Sequence, residues 1–97
     1  MARYKLSLAA DRDFENILDF GIDRFGLAQA LEYQNAMKER FAQLAAQPDF
    51  YQRVDHIRQG YRRSVFQAHS IYYKVDNEQV LIVRILGREN PETSLPD

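Results

Sequence analysis

No cysteine occurs among the 97 residues, which excludes disulfide staples and thiolate metal sites and leaves the fold to stand on packing alone. Also missing is any apolar run near the roughly 20 residues that a membrane-spanning helix needs. The opening stretch "MARYKLSLAADRD" lacks the long apolar segment of a secretory signal, so a cytoplasmic location without a membrane partner is expected. An excess of one charge is absent as well. A formal net charge of -1 gives the molecule no overall field toward nucleic acid, and only a local basic face stays open. Direct sequence-specific nucleic-acid binding is therefore not expected. Histidine is scarce: His56 and His69 are the two in the chain, far apart and without a carboxylate at ligand spacing, so neither a metal site nor a cofactor is expected.

What is present fits one domain spanning residues 1–97. The chain is 45% hydrophobic and 28% charged, enough for a thin core and too short for a second one. "RYKLSL" alternates, with Tyr4, Leu6 and Leu8 on one side, which predicts a half-buried strand. From about Asp11 the period becomes helical, with Phe14, Ile17, Leu18, Ile22 and Phe25 sharing a stripe with Gly21. Asp11, Asp13 and Glu15 crowd the first turn, where the helix dipole favours negative charge. Gly26 supplies a left-handed stop, and a second helix follows with Ala30, Tyr33, Met37, Phe41 and Leu44 in register until Pro48. Gly21 disfavours a helix by about 1 kcal/mol relative to Ala, so it predicts a close approach of the second helix or the sheet.

"PDFYQRVDHIRQG" has no clean period and predicts a surface loop carrying a short strand; its length makes it a functional candidate. Three strand-like runs come next, "YRRSVFQ", "SIYYKV" and "QVLIVRIL", with turns at "AH" and "DNE", predicting an antiparallel meander. The last run is apolar on both faces apart from Arg84, as in a central strand, with the first strand beside it. The order β-α-α-β-β-β gives an α+β domain whose helical hairpin covers one sheet face and leaves the other partly open. Residues 1–86 form the expected core, and 87–97, with two prolines and no period, an irregular tail. On the open face Arg62, Tyr72, Lys74, Arg84 and Arg58 are expected to gather.

In that order, the segments "YKLSLAADRDFENILDFGIDRFG", "QALEY", "IRQGYRRSVFQAHSIYYKV" and "VLIVRIL" resemble ParE toxins of the RelE/ParE superfamily over about residues 3 to 86. The most specific parts are Ala10, Asp13, Phe14 and Ile17 at the start of the first helix and the Phe25-Gly26 break. The approach to the sheet through Ile57, Arg58, Gly60, Tyr61, Arg62 and Arg63, followed by His69 and Tyr73, completes the set. The resemblance implies a toxin of a type II toxin-antitoxin pair, neutralised by a ParD-like antitoxin in a hetero-oligomer, with DNA gyrase as the usual target. It also implies an alternative, because RelE-like relatives are ribosome-dependent mRNA endoribonucleases, and an inactive toxin relative is a third reading. RNA cleavage needs a base, an acid and cations on the phosphate. Where many nuclease relatives carry His or Tyr after the last strand, this chain reads Ile85-Leu86-Gly87-Arg88, so no catalytic residue is assigned. The position of Gly87 also departs from the histidine of many ParE proteins. The expected antitoxin- or target-binding set is Arg58, Tyr61, Arg62, Arg63, Tyr72, Lys74, Arg84 and Arg88, with acidic antitoxin side chains paired to the arginines.

Overall fold

The alternation of the first strand ends at Ser7, and that residue decides where the helix starts. The computed structural model describes residues 3–96; residues 1, 2 and 97 of the expected domain lie outside the described residues. Strand β1 (Tyr4–Leu6) runs parallel to β5 (Gln79–Leu86), with Tyr4 opposite Val80 and Leu6 opposite Ile82. The Ser7 N–H donates to the Ile82 carbonyl at 2.9 Å. Its hydroxyl donates to the Val83 carbonyl at 2.7 Å and accepts the Ala10 N–H at 3.0 Å. Ser7 thus links the end of β1 to α1 directly and serves as the N-cap, and α1 (Leu8–Phe25) begins three residues earlier than the acidic cluster suggests.

Gly26 alone separates α1 from α2 (Leu27–Ala46). Its φ of 89° is positive as expected, but its ψ of 163° is extended rather than left-handed helical, a region open essentially to glycine. Close approach at Gly21 is borne out: a Cβ placed there would stand 3.2 Å from the Ala30 Cβ on α2. The hairpin thereby packs tightly near its connection. No helix among the described residues is long and apolar enough to cross a membrane.

The sheet has five strands in the order β1-β5-β4-β3-β2, adding β2 (Gln52–Arg53), β3 (Arg62–Phe66) and β4 (His69–Asp76) to the two already described. All pairs except β1 with β5 are antiparallel. Asn77 and Glu78, both at positive φ, close the β4–β5 hairpin, the two-residue geometry whose twist matches its strands. The β3–β4 turn falls at Gln67 and Ala68, so His69, expected in the turn, is instead the first residue of β4, opposite Phe66. A bulge sets Tyr72 opposite Arg84 and Tyr73 opposite Ile82, leaving Val83 as the extra residue of β5.

The helices close one face of the sheet. Phe14 from α1 and Met37, Phe41 and Leu44 from α2 pack on Ile71, Tyr73, Val80, Ile82 and Ile85. Tyr73 is fully buried, its hydroxyl donating to the Pro48 carbonyl at 2.7 Å, and burial pushes its pKa up to about 12.

The other face, expected to be partly open, is covered in part by the chain end, and the tail, expected to be irregular, holds one helical turn. Asn90 caps a one-turn helix, α3 (Pro91–Ser94), by accepting the Glu92 N–H at 3.0 Å, with Pro91 in the first turn where its missing N–H costs nothing. Leu95 then drops into a second cluster with Val54, Tyr61, Tyr72, Val83 and Leu86. The loop after β2 and the chain end together cover the sheet where an exposed basic surface was expected.

Candidate protein-docking groove

The arginines of the expected set are placed by contacts within their own chain. Arg84 reaches Asp13 on α1 through two parallel bonds, Nε to Oδ2 at 2.7 Å and Nη2 to Oδ1 at 3.0 Å. Its Nη1 donates to the Ser94 carbonyl at 3.1 Å. The hydrogen bond to Asp13 raises the Arg84 pKa further and fixes its charge. Asp13 also accepts the Ile85 N–H at 3.0 Å, taking the place of a strand partner where β1 has already become helix. Arg58 donates to the Ile57 carbonyl at 2.8 Å and to the tail carbonyls of Glu92 at 2.6 Å and Leu95 at 3.2 Å. The Tyr61 hydroxyl meets the Pro96 carbonyl at 3.5 Å, and the Lys74 ammonium lies 5.5 Å from the Tyr61 ring centre.

Arg58, Tyr61, Tyr72, Lys74 and Arg84 are therefore brought together, but around the chain's own tail. Arg62 points elsewhere, donating to the carbonyls of Tyr51 at 2.7 Å and Asp49 at 3.4 Å and facing the Asp49 carboxylate at 3.5 Å. It fastens the loop that follows α2. Arg63 stands opposite Tyr72, half-buried, with its Nε enclosed and without an acceptor among the described residues. Asp55 accepts the Gly60 N–H at 2.8 Å and Arg53 Nε at 2.7 Å, which together hold its carboxyl below the usual range and close the loop before β3.

Arg88, the remaining member, lies at the opposite end of the strands beside a groove that the residue pattern did not single out. Ile17, Phe20 and Phe25 of α1, Ala30 and Tyr33 of α2, and the β3–β4 turn with His69 enclose an open apolar cleft of about 540 Å³. It continues past His69 into a more polar section bounded by Asn16, Arg24, Gly87, Arg88 and Glu89. The floor is an aromatic and polar step. The Tyr33 hydroxyl lies 2.8 Å from His69 Nδ1, and the Tyr33 ring is tilted against Phe66 at 5.4 Å. Burial lowers the His69 pKa, opposed by the Glu89 carboxylate, and burial raises that of Tyr33.

Phe20 and Phe25 are each 59% exposed. Phe25, expected on the packing stripe, instead forms a wall of the cleft, because α1 ends there beyond the reach of the sheet. The Arg24 guanidinium rests 5.4 Å from the Phe20 ring centre. Among the described residues neither Arg24 nor Arg88 has a carboxylate at ion-pair distance. An apolar cleft with a cationic rim suits an amphipathic helix that brings aliphatic residues at i, i+3, i+4 and i+7 and a carboxylate for the rim. The signal available in the sequence was the excess of apolar residues on the first helix. On the helical wheel Phe20 falls outside the arc shared by Ile17, Leu18 and Ile22, so the apolar arc is wider than one buried stripe requires.

Comparison with known proteins bears on this geometry. A family model described as ParE toxin of type II toxin-antitoxin system, parDE, matches residues 4–91. Toxin ParE1 of Mycobacterium tuberculosis strain H37Rv is 36% identical over 86 residues, covering 88% of each chain. Toxin ParE1 of Caulobacter vibrioides strain CB 15 is 31% identical over 86 residues, covering 89% of this chain and 88% of that one. A solved structure described as the chromosomal ParDE TA system from P. aeruginosa superposes with a TM-score of 0.79 at 21% identity, over 92% of this chain and 98% of that chain. At that identity the superposition shows a shared fold.

Proposed function

Because the chain belongs to the ParE toxin family of type II toxin-antitoxin systems, we propose that it inhibits DNA gyrase by protein-protein binding and is neutralised by an antitoxin helix seated in the groove of Phe20, Phe25 and Tyr33. The observation that carries the antitoxin half of this reading is the exposure of two phenylalanines in a built cleft. A contiguous apolar surface of that kind on a small chain marks a partner site. Its rim arginines match an acidic partner.

The gyrase half rests on the family and on how the arginines are engaged. A nuclease of this fold would need guanidinium forks aimed at a scissile phosphate together with an acid and a base. Here Arg84 is bonded to Asp13 and to the tail, Arg58 to tail carbonyls and Arg62 to the loop after α2. Those contacts favour a toxin that acts by binding.

A supercoiling and DNA-cleavage assay with purified gyrase tests the target. Loss of supercoiling with accumulated cleaved DNA is expected, and no effect at high toxin excess would move the weight to ribosome-dependent RNA cleavage. Phe20→Ser tests the groove. It should leave folding within about 0.5 kcal/mol of the parent, as exposed substitutions do, while weakening the antitoxin complex by about tenfold or more, as loss of an aromatic anchor does. Unchanged affinity by calorimetry would remove the groove from the antitoxin interface.

A further inference from the structure

Both sections of the groove meet at His69. It opens β4, is half-buried, and is held from one side by the hydroxyl of Tyr33. The Tyr33 hydroxyl has a second acceptor within reach, the Phe66 carbonyl at 3.5 Å. In the neutral tautomer that carries its hydrogen on Nε2, Nδ1 accepts the Tyr33 proton. On protonation Nδ1 becomes a donor, so the phenol oxygen must accept from it and the phenol proton must turn toward Phe66. The ring edge bearing Cδ2 and Nε2 faces Gly87, whose N–H is held by the Glu89 carboxylate at 2.7 Å.

We propose that His69 and Tyr33 form a proton-sensitive latch in the groove floor, so that an apolar-faced antitoxin helix seats well on the neutral pair and poorly on the protonated one. The inference rests on the groove being the antitoxin site. Its physical basis is that a segment covering the cleft removes water from an imidazolium but removes little from a neutral ring bonded to a phenol.

The groups around the ring set the sign. Tyr33 comes from α2, and the Phe66 ring and carbonyl come from β3. Glu89 follows β5, and its carboxylate favours the charged ring. Arg88, Arg24 and Asp13 line the same polar section, the last already bonded to Arg84 and the Ile85 N–H. Burial outweighs Glu89 in the free protein, so the neutral form is favoured below the ordinary histidine value of about 6.5. The stability this contributes is fully present above that value and is lost as pH falls through the lowered value. Covering the groove extends the same bias, so antitoxin binding should expel a proton from His69 wherever the free ring is partly charged.

The test compares the parent toxin with His69→Gln, using a full-length ParD-like antitoxin first shown to bind the parent. The parent complex should weaken by about fivefold between pH 7.5 and pH 5.5 beyond any change shared with the variant, following the linkage of binding to a single imidazole. Whatever affinity His69→Gln sets at pH 7.5 by altering the groove floor, it should follow only the shared change on acidification. In the parent, the His69 ring resonances should titrate at lower pH when the antitoxin is bound than when it is absent, a readout that needs no variant to fold. Equal pH dependence in parent and variant, or an unmoved titration with shifted groove resonances, would overturn the latch and keep the groove. Antitoxin binding that leaves Phe20, Tyr33 and His69 resonances unchanged would overturn both.

Discussion

On the helix side of the sheet ten buried residues interlock among the described residues, including Phe14, Met37, Phe41 and Tyr73. On the far side six residues do so, and the chain end is held there largely by Arg58 and Arg84 donating to the carbonyls of Glu92, Ser94 and Leu95. The first closure is specific to shape, since each ring or branched chain fills a place made by others. The second is specific to backbone position, since a carbonyl is offered by any residue. The difference teaches why arginines in a pattern shared with a toxin family need not face a partner: here the same side chains that a ligand would want are the means by which a thin domain covers its second face.

The comparison can be broken from the helix side first. Phe41 is 1% exposed and touches the rings of both Phe14 and Tyr4, at 5.4 and 5.6 Å between centres. Phe41→Ala should cost about 3–5 kcal/mol, the usual price of emptying an aromatic site that cannot collapse. In so small a domain that is a large share of the whole stability. Urea unfolding would register it as a lower midpoint with an unchanged slope. A loss below about 1 kcal/mol would mean that the helix side is not the better packed of the two.

Asp13 joins the two sides, because one carboxylate receives Arg84 and the Ile85 N–H while its helix packs on the opposite face. Asp13→Ala leaves a part-buried guanidinium and a strand N–H without their acceptor, and about 2–3 kcal/mol of stability should be lost. Asp13→Asn retains an acceptor but not the charge and should recover part of that loss. Equal losses in the two variants would show that hydrogen-bond shape rather than charge holds the junction.

Much of this architecture was legible in the sequence, and the unread parts share a cause. The stripe of Ala30, Met37, Phe41 and Leu44, the close approach at Gly21 and the central placement of the last strand are local consequences of periodicity or of a missing Cβ. The burial of Leu95 and the roles of Arg58 and Arg84 depend on partners 10 to 71 positions away, which no local pattern encodes. Ser7 was readable in principle as an N-cap, but the acidic residues after it carried a stronger dipole signal and drew the start of α1 too far along. The groove was hidden because Phe20 and Phe25 look like core residues on a helix whose buried arc is already full.

The smallest expected effect sharpens the comparison most. Leu95 is 3% exposed, so simple cavity arithmetic for Leu→Ala would give about 2–5 kcal/mol. The tail has a cheaper response than a cavity, since residues after Asn90 can detach as a local unit while the sheet and the helix side stay folded. Leu95→Ala should therefore lower global stability by only about 1 kcal/mol, the free energy being capped by local opening. Amide exchange separates the two outcomes. The Leu95 N–H, bonded to the Pro91 carbonyl at 3.1 Å, should exchange much faster in the variant, while the amides of Tyr73 and Ile82 on the helix side keep their protection. If those slow amides accelerate together with Leu95, the chain end belongs to the same cooperative unit as the helix-side core, and the guanidinium clamps make a seam rather than a strap.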